Sequence, residues 1–187
     1  MITIHDLLTS YLEDTDDVFI SNLTNVDDVD GVDDYGETLL FKCLNERLDY
    51  SMKIRALLEH GADPNQTTRY TNDSIITPLG LAITGKSWNN CFTCVGTTKI
   101  LLECGANPNQ STGHYGSPLQ CSMSFYYHRH DINELFLLLR YGATEYEKEY
   151  GIFISVIHMT FIVCDMMLYT DDDVHPDWIR KIKERLY

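Results

Sequence analysis

Basic residues are the scarce currency of this chain. Lys and Arg together number 14 in 187 residues, against 28 Asp and Glu, for a formal net charge of −14. The shortage is sharpest at the start. Residues 1–50 hold thirteen acids against Lys42 and Arg47, so −11 of the −14 sits in those fifty residues. Such a surface repels phosphate backbones, which argues against nucleic-acid binding. It steers a basic protein towards itself instead.

Catalytic signatures are missing as well. The sequence has no P-loop, no Rossmann glycine pattern, no nucleophile elbow and no HExxH, so nothing in it argues for an enzyme. Met1-Ile2-Thr3-Ile4-His5-Asp6 lacks a basic region followed by an apolar run, and no secretory signal is expected. Six cysteines (43, 91, 94, 104, 121 and 164) are then read as reduced thiols of a cytoplasmic protein rather than as a disulfide framework. One long apolar run exists, 152–169, with His158 and Asp165 inside it. A charge at mid-bilayer is costly, so the run is expected to be a buried helix rather than a membrane span.

What the chain does have is self-similarity. Leu57-Leu58-Glu59-His60-Gly61-Ala62-Asp63-Pro64-Asn65-Gln66 returns 44 positions later as Leu101-Leu102-Glu103-Cys104-Gly105-Ala106-Asn107-Pro108-Asn109-Gln110. A weaker copy, Leu138-Leu139-Arg140-Tyr141-Gly142-Ala143-Thr144, follows 37 positions after that. Each reads as a helix end: a Leu pair on the buried stripe, then Gly at the left-handed position, with Pro stopping the helix in the first two. Helix starts recur too. Thr38-Leu39-Leu40, Thr77-Pro78-Leu79 and Ser117-Pro118-Leu119 lie 39 and 40 residues apart. In each a hydroxyl residue stands at the cap, with Pro at the first helical position in two. Partner helices are expected over about 52–60, 96–104 and 131–141, and a helix capped by Thr3 over the apolar residues from Ile4 to Leu12. A last amphipathic helix is expected over about 177–186, with Trp178, Ile179, Ile182 and Leu186 on one side. Similarity at such a period is the mark of a solenoid.

The Thr-Pro-Leu-x-x-Ala of 77–82, followed by Leu-Leu-x-x-Gly-Ala-Asx-x-Asn at 101–109, resembles the ankyrin repeat, most closely over residues 33–144. The resemblance implies an all-α solenoid of stacked helix-turn-helix units. Residues 1–32 are its N-terminal cap, 33–70, 71–111 and 112–146 three repeats, and 147–187 a degenerate repeat with a capping helix. The repeats depart from the family form in two ways. They carry extra loop at 45–51, 85–95 and 124–130, and Phe41, Gly80 and Gln120 replace the His that ties neighbouring repeats together. Irregular, expanded repeats of this kind resemble ankyrin proteins of large DNA viruses and bacterial effector or immunity proteins.

The resemblance implies that function lies on the hairpin tips and the first-helix faces. The tips carry Asp34, Tyr35 and Glu37; Arg69, Tyr70 and Asn72; and His114 and Tyr115. Tyrosine offers a large rigid contact area with a polar end, which suits interface hot spots. Trp88, in a polar inserted loop beside Lys86 and Phe92, and Tyr126 and Tyr127 are further candidate contacts. The expected function is a non-catalytic, monomeric protein-binding module that blocks a basic protein partner, as an inhibitor or immunity-type protein does. An effector that binds a host regulatory protein is the alternative. Cys91-Phe92-Thr93-Cys94, taken with Cys104 and His114, has the elements of a zinc or redox site, but the second ligand couple is too widely spaced and Cys104 stands at an ordinary helix-end position. His128-Arg129-His130-Asp131 reads as an exposed loop whose Asp caps the next helix. No cofactor and no metal is expected.

Overall fold

The computed structural model describes residues 3–46, 49–71, 74–84, 94–111, 116–122 and 133–143. Tertiary contacts divide the chain into Met1–Glu145 and Tyr146–Tyr187, and every described residue lies in the first unit. The described residues are mainly helical, as expected. Seven helices have defined bounds: α1 (Ile4–Ser10), α2 (Asp16–Leu23), α3 (Leu39–Asn45), α4 (Ser51–Glu59), α5 (Pro78–Thr84), α6 (Cys94–Glu103) and α7 (Asn133–Arg140). A further helical stretch covers 118–122. Two short strands, β1 (Thr68–Thr71) and β2 (Ser74–Ile76), form one antiparallel hairpin with Thr68 opposite Ile76 and Arg69 opposite Ile75.

Helix starts are set by side chains that accept from otherwise orphaned backbone N–H groups. Thr38 Oγ1 accepts from Phe41 N at 3.3 Å, Thr77 Oγ1 from Gly80 N at 2.9 Å, and Ser117 Oγ from Gln120 N at 3.3 Å. Gln120 answers by accepting from Ser117 N at 2.8 Å, so the third start is a full capping box. Thr3 and Asp6 make another, with Asp6 Oδ2 accepting from Thr3 N at 2.7 Å. Thr15 caps α2, whose first turn carries Asp16 and Asp17 next to the positive end of the helix dipole.

Helix ends are equally uniform. Gly61, Gly105 and Gly142 take φ of 97°, 94° and 88°, a region a side chain resists. In each case the glycine N–H and the following alanine N–H turn back onto the Leu pair. Gly61 N donates to Leu58 O and Ala62 N to Leu57 O; Gly105 and Ala106 do the same to Leu102 and Leu101, and Gly142 and Ala143 to Leu139 and Leu138, all within 2.9–3.2 Å. This double closure satisfies two carbonyls that a helix end would otherwise expose.

The expected partner helices are present with shifted bounds. The α6 helix begins at Cys94, two residues earlier than expected, and holds Gly96 in an ordinary helical conformation.

Packing follows a ladder. The α1 helix lies against α2, and α2 against α4. The α3 helix packs on both α4 and α5, α4 on α6, α5 on α6, and α6 on α7. Leu39, Leu57, Leu79, Leu101, Leu119, Leu135 and Leu138 are fully buried between these layers. Burial is worth roughly 1.5–3 kcal/mol for each such side chain. Phe41 packs with Ile76, Leu81 and the half-buried Leu44, an apolar contact that joins α3, β2 and α5.

Side-chain hydrogen bonds join one helix end to the next. Asn65 Nδ2 donates to Gly105 O at 3.1 Å, and its Oδ1 accepts from Asn107 N at 2.6 Å. Asn109 Nδ2 donates to Gly142 O at 3.0 Å. Locally the two turns match: Asp63 Oδ1 accepts from Asn65 N at 2.8 Å and Asn107 Oδ1 from Asn109 N at 2.9 Å.

The expected helices at 152–169 and 177–186 lie outside the described residues, as do the inserted residues 85–93 and 124–130. Among the described residues no helix is long and apolar enough to cross a membrane.

Candidate partner-binding surface

The tip before α3 is organised by one carboxylate. Asp33 Oδ1 accepts from Tyr35 N at 2.9 Å and from Glu37 N at 3.0 Å, an Asx turn that closes the loop on itself. Gly36 N donates to Asp33 O at 3.0 Å and Asp33 N to Glu37 O at 3.0 Å, while Val32 and Thr38 face each other as an antiparallel bridge. Lys42, from α3, reaches back to Asp33 Oδ2 at 2.7 Å and to Glu37 at 3.9 Å. Burial is the largest single influence on the Asp33 carboxyl and acts to raise its pKa. The bonds from Lys42, Glu37 and Tyr35 outweigh it together and hold the group below its ordinary value. On Lys42 the bond from Asp33 dominates and raises the ammonium above its ordinary value.

This knot presents Tyr35 to solvent at 85 % exposure. A rigid turn carrying an uncovered aromatic ring loses little entropy when a partner covers that ring. Asp34 beside it is exposed and Glu37 half-buried. The second tip is tied to the first, since Thr68 Oγ1 donates to Gly36 O at 3.0 Å. That bond sets β1 beside the Tyr35 turn, and Arg69 projects from it as an exposed residue.

Of the residues named from sequence, Asp34, Tyr35, Glu37 and Arg69 are thus brought to one pair of linked hairpins. Tyr70 lies in β1, its side chain outside the described residues. Asn72, Trp88, His114, Tyr115, Tyr126 and Tyr127 lie outside them altogether, as does the 128–131 loop. For the CxxC, Cys91 and the side chain of Cys94 also fall outside. Cys43 and Cys104 are free thiols. Burial pushes the Cys43 thiol up to about 12 and raises that of Cys104, so neither offers a thiolate at neutral pH.

Sequence reasoning missed several members of this surface. Val32 at 50 % and Ile75 at 48 % exposure add apolar area to the same two hairpins. Asp33 and Thr68, which build the tips, were also passed over. Asp33 had a visible signal, an Asp two residues before an aromatic and three before a Gly, the pattern of an Asx turn. Thr68 had none, because its partner lies 32 positions away.

A buried lysine was missed as well. Lys53 is 2 % exposed. Its Nζ donates to Tyr11 O at 2.7 Å and Asp14 O at 2.6 Å, and it sits 5.3 Å from the Phe19 ring centre and 4.8 Å from that of Tyr50. Tyr11 in turn donates its hydroxyl to Glu46 at 2.9 Å. This box fastens the loop between α1 and α2 to α4, and its ligands are all internal. It is structural, not a site.

Compared with protein-family models and with curated protein sequences, the chain matches none.

Proposed function

We propose that this chain is an ankyrin-type stack acting as a non-catalytic protein-binding module, and that its partner is a basic protein held on the hairpin tips. The observation that carries this reading is Tyr35, uncovered at 85 % on a turn knotted by Asp33 and joined through Thr68 to the next hairpin. Three features support the stacked architecture. Helix starts are capped in the same way at three places, helix ends close on the same pair of carbonyls at three places, and side chains of the Asx turns bridge successive ends. The excess of acids in residues 1–50 supports a basic partner, since complementary charge raises association rates and rejects acidic competitors. Blocking a surface of that partner, in the manner of an inhibitor or immunity protein, fits a module that acts through contact area.

The test is affinity capture from source-cell lysate. Wild-type protein is compared with a Tyr35→Ala, Tyr70→Ala, Tyr115→Ala variant whose circular dichroism matches wild type. A basic protein retained by wild type and lost by the variant is the expected result. Equal retention by both would move the binding surface off the tips, and retention by neither would contradict the proposal.

A further inference from the structure

Two junctions along the ladder are built alike but differ in the side chain that bridges them. At the second, the Asn65 amide uses both of its ends: Oδ1 accepts from Asn107 N at 2.6 Å, and Nδ2 donates to Gly105 O at 3.1 Å. Asn107 stands two residues after a helix-end glycine. Asp63 stands in the same place after Gly61, and the group that accepts from its N–H is Asp30, with both carboxylate oxygens at 3.1 Å. Asp30 is therefore the counterpart of Asn65. An ionised carboxylate can only accept, so it straddles the single N–H and brings no hydrogen for the Gly61 carbonyl, the counterpart of Gly105 O.

We propose that the Asp30–Asp63 junction is a proton-controlled fastening of the N-terminal segment onto the end of α4. It tightens when Asp30 takes up a proton and its acid O–H donates to the Gly61 carbonyl, as the Asn65 amide donates to Gly105. Protonation turns the carboxylate into a group with one acceptor and one donor, the same pair that an asparagine offers. Among the described residues, the charged groups facing Asp30 are Asp63 across the junction and Asp28 on its own turn, both acidic, with no cation opposing them. Asp28 Oδ1 itself accepts from Asp30 N at 3.1 Å, which holds the turn and its negative charge in place. Burial first, then the Asp63 and Asp28 carboxylates, raise the Asp30 carboxyl above its ordinary value, although the Asp63 N–H pulls the other way. A raised folded-state value gives stability that is present below the unfolded-state carboxyl range and is lost as pH rises through the folded-state value. The junction is thus firmest in acid.

Thermal unfolding of full-length protein from pH 7 down to pH 3.5 tests this through two reciprocal substitutions. Asp30→Asn installs the amide permanently. It is expected to raise Tm at pH 7 by about 2–4 °C, and its advantage over wild type is expected to shrink steadily on acidification. Asn65→Asp places the device at the second junction, where it is expected to lower Tm at pH 7 and to recover part of the loss in acid. Comparing each variant with wild type at the same pH cancels the titration of the other carboxylates. A lower Tm for Asp30→Asn at pH 7, or a difference from wild type that does not change with pH, would overturn the proposal. Should Asn65→Asp not fold, the Asp30→Asn series decides alone.

Discussion

Lys53 keeps its ammonium inside the fold because two backbone carbonyls and two aromatic faces replace the water it gave up. Tyr11 O and Asp14 O lie at the end of α1 and just beyond it, where the helix leaves acceptors without intrahelical donors and a cation is welcome. Exchanging Lys53 for Met keeps most of the volume but strands both carbonyls. Hydrogen bonds to a charged donor carry about 1.5–3 kcal/mol each, and water can reach the half-buried Asp14 side in compensation. Lys53→Met is expected to cost about 2–4 kcal/mol in urea unfolding. A loss under about 0.5 kcal/mol, the scale of an ordinary surface change, would show the box to be incidental. The residue was half legible in the sequence. Lys53 falls on the apolar stripe that runs through Tyr50, Ile54, Leu57 and Leu58, which flags a buried charge. Its partners, 39 and 42 positions away, follow only from how α1, α2 and α4 pack.

At the scale of single elements, a helix end and a helix interior make opposite demands on glycine. Gly105 sits at φ 94° with open space where a Cβ would be, so only backbone strain opposes a side chain there. Gly96 sits inside α6, exposed, with no neighbour in reach of an added Cβ. Gly105→Ala is expected to destabilise by about 1–2 kcal/mol through the left-handed backbone alone. Gly96→Ala is expected to stabilise by about 0.5–1 kcal/mol by removing helix-interior glycine. The same chemical change thus has opposite signs nine residues apart, and equilibrium denaturation of the two variants measures both. Matching signs would contradict the helix bounds described for α6. The starts and ends of helices were the most legible part of the chain, because a cap and a Schellman closure are written within six residues of sequence. The start of α6 was expected at Gly96 and lies two residues earlier, at Cys94.

For the molecule as a whole, the ladder of helix contacts and the bridges between helix ends share one direction, running from the N-terminal helices to α7. The bridging bonds span 33 to 42 positions. Sequence could mark Asp30, Asn65 and Asn109 as turn residues but could not say that each reaches the following helix end. The candidate surface was legible in kind rather than in detail. Tyr35 and Arg69 were found from their place at the tips, whereas the exposure of Val32 and Ile75, and the Thr68 bond that joins the tips, depend on how the two hairpins settle against each other. Charge was legible outright: the acids of the first fifty residues are a property of composition, and three of them, Asp33, Asp34 and Glu37, belong to the turn that presents Tyr35.

The most direct measurement of the central claim is amide chemical-shift mapping of isotope-labelled protein titrated with the captured partner. The account predicts that the largest shifts fall on Tyr35, Gly36, Glu37 and the β1 residues Thr68 to Thr71, with the helix-end glycines Gly61 and Gly105 little changed. Largest shifts on the exposed faces of α4 and α6, with the Tyr35 turn silent, would contradict it.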